Sequence, residues 1–332
     1  ATGDETFEFT HKSFGEYLAA RRIVRGVQRM HAGLERRKES YDEGWDEREA
    51  LLHWVKLCGP VAMDQYLSGF VANEVRLQHE TGGAGGAQQW QETLSRLIGF
   101  MLRHGTPMES LAPRPSFQEE VRQARNAEEA LLIVLNACAR VTMKCSDIDW
   151  PSPVAFGEWL SRLQGQRLSG NNTLAFRSLG WLNLQGRILY VKDLYAADLR
   201  HSNLKNAKLD YVNLVRTNLL WANLEGALLR QANLAAANLE GTTLKRAHLG
   251  GANLERANLR EANLEGANLR EANLEGANLE DANLTGANLE GANLLGARIS
   301  PAQQQLLNLS PSQIEQLRIK LGTEWFIKDE RA

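Results

Sequence analysis

The stretch ANLEGANLREANLEGANL, residues 262–279, repeats a five-residue phrase, and that period decides how the chain folds. On an α-helix each residue turns by about 100°, so a leucine at every fifth position drifts around the axis and leaves no apolar stripe. In a flat strand side chains alternate with a period of two, so successive leucines would fall on opposite faces. The pattern becomes consistent only if the chain turns a corner in every repeat, always toward the same side. Leucine and the small residue two before it then point inward, and the other three positions face out or form the turn. That is a solenoid.

The register extends well beyond the quoted stretch. From Leu179 to Leu294 every fifth residue is leucine, 24 positions in all, with Leu174 before them and Ile299 after. The residue two before each leucine is small from Ala197 to Ala297 but is Arg177, Leu182, Arg187 and Lys192 earlier, so residues 173–196 read as an irregular, capping start. Asn usually precedes the leucine and Gly often ends the pentad. Asn hydrogen-bonds turn backbone, and Gly tolerates positive φ, so both read as turn chemistry rather than catalysis.

These pentads resemble the pentapeptide-repeat proteins, strongly over 200–299 and loosely over 174–199. The resemblance implies a right-handed quadrilateral β-helix with four pentads per coil. Leu199, Leu219, Leu239, Leu259, Leu279 and Ile299 would then stack in one column of the structural core. At about 4.8 Å per coil, six coils make a rod roughly 30 Å long. Each buried leucine contributes about 2 kcal/mol before ordering entropy is subtracted.

The outward positions carry what functional information there is. Residues 197–299 hold twelve acids and eleven bases, with four acids against seven bases before 254 and eight against four after it. Pentapeptide-repeat proteins resembling the quinolone-resistance group imitate duplex DNA and engage topoisomerase, which implies a strongly acidic surface. Here Lys205, Glu225, Lys245 and Glu265 alternate in one column, a mixed face that weakens the DNA-mimic reading. The exposed apolar positions Tyr211, Val215, Leu220, Trp221, Ala235 and Ala236, with His201 one coil below Trp221, form the candidate partner-binding surface. Cover by another part of the same chain is the competing reading.

The first 172 residues lack the repeat and read as an all-α domain. SFGEYLAARRIVRGVQRM starts with Ser13 and carries Glu16 three later, a capping-box pattern, with Phe14, Tyr17, Leu18, Val24 and Val27 as its apolar face. Further helical runs are EREALLHWVKLC, MDQYLSGFVANEVRLQ, WQETLSRLIGFMLR, SFQEEVRQARNAEEALLIVLNACARV and PVAFGEWLSRL, and TGGAGGAQ, 81–88, breaks two of them apart. From Arg21 to Lys38 seven Arg or Lys face a single acid, Glu35; a solvated helix face is the plain reading, contact with an acidic partner the other.

FEFTHKSFGEYLAARRI, residues 7–23, resembles the phrase near the end of the helical region that follows NACHT-type domains in STAND-class NTPases. The resemblance rests on Phe9, His11, Ser13, Phe14, Glu16, Tyr17, Leu18 and Ala19 and implies a helical linker feeding a sensor. The chain starts at Ala1 in mid-motif, as the C-terminal part of such a protein would. No GxxxxGK[ST] occurs, so any NTPase activity belongs to an upstream domain. The seven histidines lack metal-ligand spacing, and Cys58, Cys138 and Cys145 form no CxxC, which fits reduced thiols in a cytoplasmic protein. There is no GxSxG, HExxH or GxGxxG, and the expectation is no enzyme, no cofactor and no metal. No apolar run approaches the roughly twenty residues of a membrane span.

After Ile299 the repeat ends, and Ser310-Pro311 is expected to open a capping helix with Ile314, Leu317 and Leu321 on one side and Trp325 and Phe326 packed on the last coil. The expected domains are 1–172 helical, 173–300 solenoid and 301–332 cap. The leading functional expectation is a recognition module, the linker and repeat sensor of a bacterial STAND-type protein binding a protein partner along the rod. A DNA-mimicking regulator of topoisomerase and a plain scaffold are the alternatives. Direct nucleic-acid and membrane binding are not expected, and a homodimer through the C-terminal segment is a further option.

Overall fold

The computed structural model describes residues 11–40, 42–81, 86–164, 173–300, 303, 311–316, 318–321 and 324–327. The chain divides into two compact units, 1–151 and 152–332. The first is helical: α1 (His11–Glu39), α2 (Glu47–Cys58), α3 (Gln65–Thr81), α4 (Gly86–His104), a 3₁₀ turn at Met108–Ser110 and α5 (Phe117–Thr142). Local signals set several of these ends. Asp46 caps α2, its carboxylate accepting from Glu49 N at 2.7 Å while Glu49 accepts from Asp46 N at 3.0 Å, a reciprocal capping box. Ser116 caps α5, and Met143 ends it in the left-handed conformation. The core gathers Trp54, Leu94, Leu97, Ile98, Leu131, Leu132 and Leu135, and the Trp54 indole donates to Ala127 O at 2.9 Å.

α1 departs from the sequence reading. Its backbone is already helical at His11, so Ser13 lies inside the helix and the expected capping box there does not form its start. Phe14 and Leu18 are exposed, and the buried stripe is Ala20, Ile23, Val24, Val27, Met30 and Leu34. The apolar face chosen from sequence mixed two sides of the helix, because which stripe is buried depends on where α2, α3 and α4 pack. Phe7 and Phe9 lie outside the described residues.

The second unit opens with α6 (Ala155–Gln164) and α7 (Thr173–Arg177), followed by the repeats. Each outward Asn-type position forms a parallel bridge with the residue twenty further on, from Asn183–Asn203 to Asn278–Arg298. The coil is therefore twenty residues and four pentads long. The bridges are one residue wide, so within the repeats the expected β-helix is a stack of single-residue contacts rather than of extended strands. Leu239 N donates to Asn258 O at 2.7 Å and Asn258 N to Ala237 O at 2.9 Å, a pattern repeated up the stack. Leu199, Leu219, Leu239, Leu259, Leu279 and Ile299 are all buried.

The corner between pentads has one backbone solution. The residue two after each leucine has positive φ at all 24 positions from Trp181 to Gly296, and the third residue returns a bond to the leucine carbonyl, as Ala222 N does to Leu219 O at 2.9 Å. This is a type II turn, which requires φ > 0 at its third residue. Only nine of these 24 are Gly. The remaining side chains hold a conformation that costs an L-residue roughly 1–2 kcal/mol, so inward burial must outweigh it. Asn side chains accept from the backbone two residues on, as Asn223 does from Glu225 N at 3.0 Å. They also bond up the stack, as Asn258 Nδ2 does to Asn238 Oδ1 at 3.1 Å.

Both ends of the stack are closed by donors and acceptors in coil register. At the start, Ile188 N donates to Pro153 O at 2.9 Å and Asp198 N to Phe176 O at 2.8 Å. Arg187 and Lys192, in inward positions of the first coil, reach Ser152 O and Ser161 Oγ. α6 thus belongs with the repeats it covers, and the compact division falls at 151/152 rather than 172/173.

At the far end Gln303 Nε2 donates to Leu279 O (2.8 Å) and Ala282 O (2.7 Å), and Gln313 Nε2 to Leu289 O (2.8 Å). Residues 303 and 313 stand twenty beyond Asn283 and Asn293, whose N–H groups donate to Ala262 O and Ala272 O. Their side-chain amides make the equivalent bonds one coil on, to Ala282 O and, at 3.4 Å, Ala292 O. The cap is only partly helical. α8 (Pro311–Gln316) is followed by β2 (Arg318–Leu321), which pairs in parallel with β1 (Arg298–Ile299), and by β3 (Glu324–Ile327), antiparallel to β2. Leu321 thus lies in a strand and not on the expected helix face, because Arg318 continues the twenty-residue register from Arg298. Leu317 and the side chains of Trp325 and Phe326 lie outside the described residues.

Two stability predictions follow from turn and cap. Gly286 has φ +68° with nothing within 4 Å of an added Cβ, so Gly286→Ala should cost about 1 kcal/mol in urea unfolding from backbone conformation alone. Gly241→Ala should cost more, since its methyl would meet the Trp221 ring. Gln303→Ala leaves Ala282 O without a donor, Leu279 O keeping its turn bond from Ala282 N, and should cost about 1–3 kcal/mol, with faster amide exchange confined to the last coil. Unchanged exchange there would remove the capping role.

Candidate partner-binding face

The twenty-residue coil sorts the outward residues onto four corners. Trp181, His201, Trp221 and Gly241 share the first, Gly186, Asn206 and Gly226 the second, Val191, Tyr211 and Gln231 the third, and Ala196, Arg216 and Ala236 the fourth. The candidates named from sequence therefore do not form one patch. Tyr211 stands on the third corner, Val215, Ala235 and Ala236 on the fourth, and Leu220, Trp221 and His201 on the first, diagonally opposite Tyr211.

The first corner is largely occupied by its own contacts. Trp181 stacks on His201 with ring centroids 4.2 Å apart, and the Trp221 ring lies on Gly241, whose missing Cβ makes the space. Trp221 is still 52% exposed, but its ring leans along the stack. Leu220 is half-buried.

The side between the third and fourth corners is different. Tyr190, Val191, Tyr195 and Tyr211 are exposed there, Tyr211 at 63% and Val191 at 75%, with Val215, Ala235 and Ala236 continuing the apolar strip over the next coils. Tyr190, Val191 and Tyr195 were missed by the sequence reading because the small-residue signal fails before Ala197. The leucine register, which runs through Leu189 and Leu194, sets them in the same turn positions as Asp210, Tyr211 and Val215 and was the signal that could have found them.

Polar groups lock the edges of this side. Asp210 is buried and accepts from Arg230 N at 2.8 Å, Arg230 Nε at 3.1 Å and Arg230 Nη2 at 3.1 Å. Arg216 Nη1 donates to Tyr195 Oη at 3.2 Å. Elsewhere on the rod Lys205 pairs with Glu225 at 3.0 Å and Lys245 with Glu265 at 2.9 Å, each across one coil. The mixed column is thus largely self-neutralised. These exposed pairs contribute little to stability but cancel the field a phosphate mimic would need.

No group of three or more His, Cys, Asp or Glu is placed to hold a metal among the described residues. Cys58 and Cys138 are buried, and burial raises both thiols, Cys138 to about 12, so neither is a nucleophile at neutral pH. No described helix is long and apolar enough to cross a membrane.

The coils define a class: a β-solenoid whose recognisable residues all serve the wall, leaving the exterior for contact. The Pentapeptide repeats family matches in eight copies over 193–231, 222–260, 232–270 and 262–300. The chain belongs to the pentapeptide-repeat family. It is similar to Rfr23 from the cyanobacterium Cyanothece 51142, at 35% identity over 33% of this chain and 82% of that one, TM-score 0.23. It is similar also to alr5209 from Nostoc PCC 7120, at 33% identity over 31% and 84%, TM-score 0.29. A third similar structure is QnrB1, a plasmid-mediated fluoroquinolone resistance protein, at 17% identity over 44% and 85%, TM-score 0.24. No curated protein matches the chain.

The first corner also makes a pH prediction. Burial, and then Arg200, lower His201 below the ordinary histidine value, with Asp198 opposing. Below about pH 6.5 the unfolded chain then binds the proton more readily than the folded one, so stability falls as pH drops through that window and is fully present above it. His53 shifts the same way, from burial first and then Arg29 and Lys56. The thermal midpoint should fall between pH 7.5 and 5.5, and His201→Gln should flatten part of that slope.

Proposed function

We propose that the chain is a non-enzymatic recognition module that binds a protein partner through the tyrosine-bearing side of its right-handed, quadrilateral repeat rod. The observation that carries this is the exposed set Tyr190, Val191, Tyr195 and Tyr211 on one side of a wall whose other side chains are largely buried, paired or stacked. Rigid aromatics on an unyielding backbone are favoured interface anchors, since they supply area at low entropic cost. The helical unit supports a finer reading, in which it is the linker, and the rod the sensor, of a cytoplasmic bacterial STAND-type NTPase. What favours that reading is the sequence phrase at residues 7–23 followed by a helical array and then a repeat array.

A second copy bound through the C-terminal hairpin is a competing partner, because β3 pairs on only one edge among the described residues. The DNA-mimic reading loses support from the cross-coil ion pairs. A bare scaffold would not need the exposed tyrosines.

Affinity capture from cytosol of the cell that makes the protein, comparing wild type with Tyr190→Ala/Tyr211→Ala, tests the reading. The expected result is one protein retained in near-stoichiometric amount by wild type and reduced at least tenfold by the double variant, at unchanged circular dichroism. Equal retention by both would sink the tyrosine side. Protection or inhibition of supercoiling at micromolar protein would favour the topoisomerase reading instead.

A further inference from the structure

A second surface lies within the helical unit and has no part in the repeat rod. A groove of about 770 Å³ is lined by Arg25, Gln28, Arg29, Ala32, Gly33, Arg36, Gly44 and Trp45, three arginines and no acid. The arginines share one face of α1, since offsets of four and eleven residues return to within about 40° of the same direction. They span about 16 Å along the helix axis at 1.5 Å per residue.

The groove is built by backbone contacts rather than left by chance. Trp45 N donates to Gly33 O at 2.9 Å, and the indole lies on Gly33, where a Cβ would stand 2.9 Å from the ring. Gly44, at φ +90°, brings its Cα against the same turn, where a Cβ would sit 2.3 Å from Gly33 O. The other neighbour of the indole is His53, with ring centroids 4.8 Å apart. Trp45 is therefore a wall held between two supports and not a free stacking platform.

The charges are what need explaining. Arg21 pairs with Glu74, Lys38 with Glu35, Arg48 with Glu109 and Arg96 with Glu47, yet Arg25, Arg29 and Arg36 make no ion pair among the described residues. Like charges four apart on a helix are mildly destabilising, so an unpaired row is a cost to the fold. Guanidinium forks match phosphate oxygens in bidentate geometry, and a phosphate chain carries several charges on a short backbone with little to immobilise. We propose that this groove binds a small oligophosphate, free or carried by a nucleoside, with Arg25, Arg29 and Arg36 as its ligands.

The test is calorimetric titration of the full chain with tripolyphosphate and with ATP, each at low salt. Binding of both should weaken at least tenfold in Arg25→Gln/Arg29→Gln/Arg36→Gln and remain unchanged in Arg256→Gln, which removes one exposed charge on the rod. Thermal midpoints are measured beside each titration to confirm folding. Equal affinities identify the bare phosphate chain as the ligand, whereas ATP binding tenfold tighter assigns the nucleoside form. The proposal is overturned if neither binds at millimolar concentration, if the triple variant binds as well as wild type, or if sulfate at matched ionic strength competes equally. It is also overturned if a single-stranded oligonucleotide binds far more tightly than either, which would make the row a nucleic-acid contact.

Discussion

A left-handed residue at every fifth position is the constraint on which the repeat half of this protein depends. It turns the chain through one corner per pentad, and four such corners bring residue i under residue i+20. Every other feature follows from that stacking. The leucines meet inside, the Asn amides meet up the sides, and the backbone of each coil hydrogen-bonds to the next. The conformation is unfavourable for the fifteen non-glycine residues that adopt it, among them Trp181, Tyr211 and Trp221. Apolar burial along the axis has to exceed that strain coil by coil, which explains why the leucine position is so uniform while the corner position varies widely.

A stack with this repeat has no intrinsic end. Its termination is therefore the part where chemistry changes. At the start, carbonyls of Pro153, just before α6, and of Phe176 in α7 accept the first unpaired amides. At the finish, the Gln303 and Gln313 side chains donate to Ala282 O and Ala292 O, which take no backbone donor among the described residues, and β2 adds one more rung on a single side before β3 turns back on it. Orphaned backbone groups on a solenoid edge are open to pairing with another chain, so these caps serve solubility as much as stability.

The exterior divides by the same geometry. On the first corner, aromatic rings are spent on one another and on Gly241, whereas tyrosines between the third and fourth corners face water. Two residues ten apart, Tyr211 and Trp221, look equivalent in a linear reading and stand on opposite corners in space. The arginine row on α1 is the converse case. Its charge was visible as a run, but only Gly33 and Trp45 show that the run edges a groove.

The amino-acid order alone determined that the chain turns in every repeat with its leucines inward, because a period of five has no other solution, and it located most helices of the first unit. The four-pentad coil that stacks Leu199 to Ile299 was implied by the family resemblance and is established by the bridges between residues twenty apart. α2 matches its expected span, and the run expected from Ser116 is α5, with Ser116 as its cap. What it did not determine were relations between segments distant along the chain. The buried stripe of α1 depended on three packing partners. The place of α6 depended on amides offered by Ile188, and the strand character of Leu321 on the open rung at Arg298. Periodicity is a local property that each pentad carries in itself, whereas exposure and capping are set by whatever the completed fold leaves uncovered, and only the tertiary structure decides that.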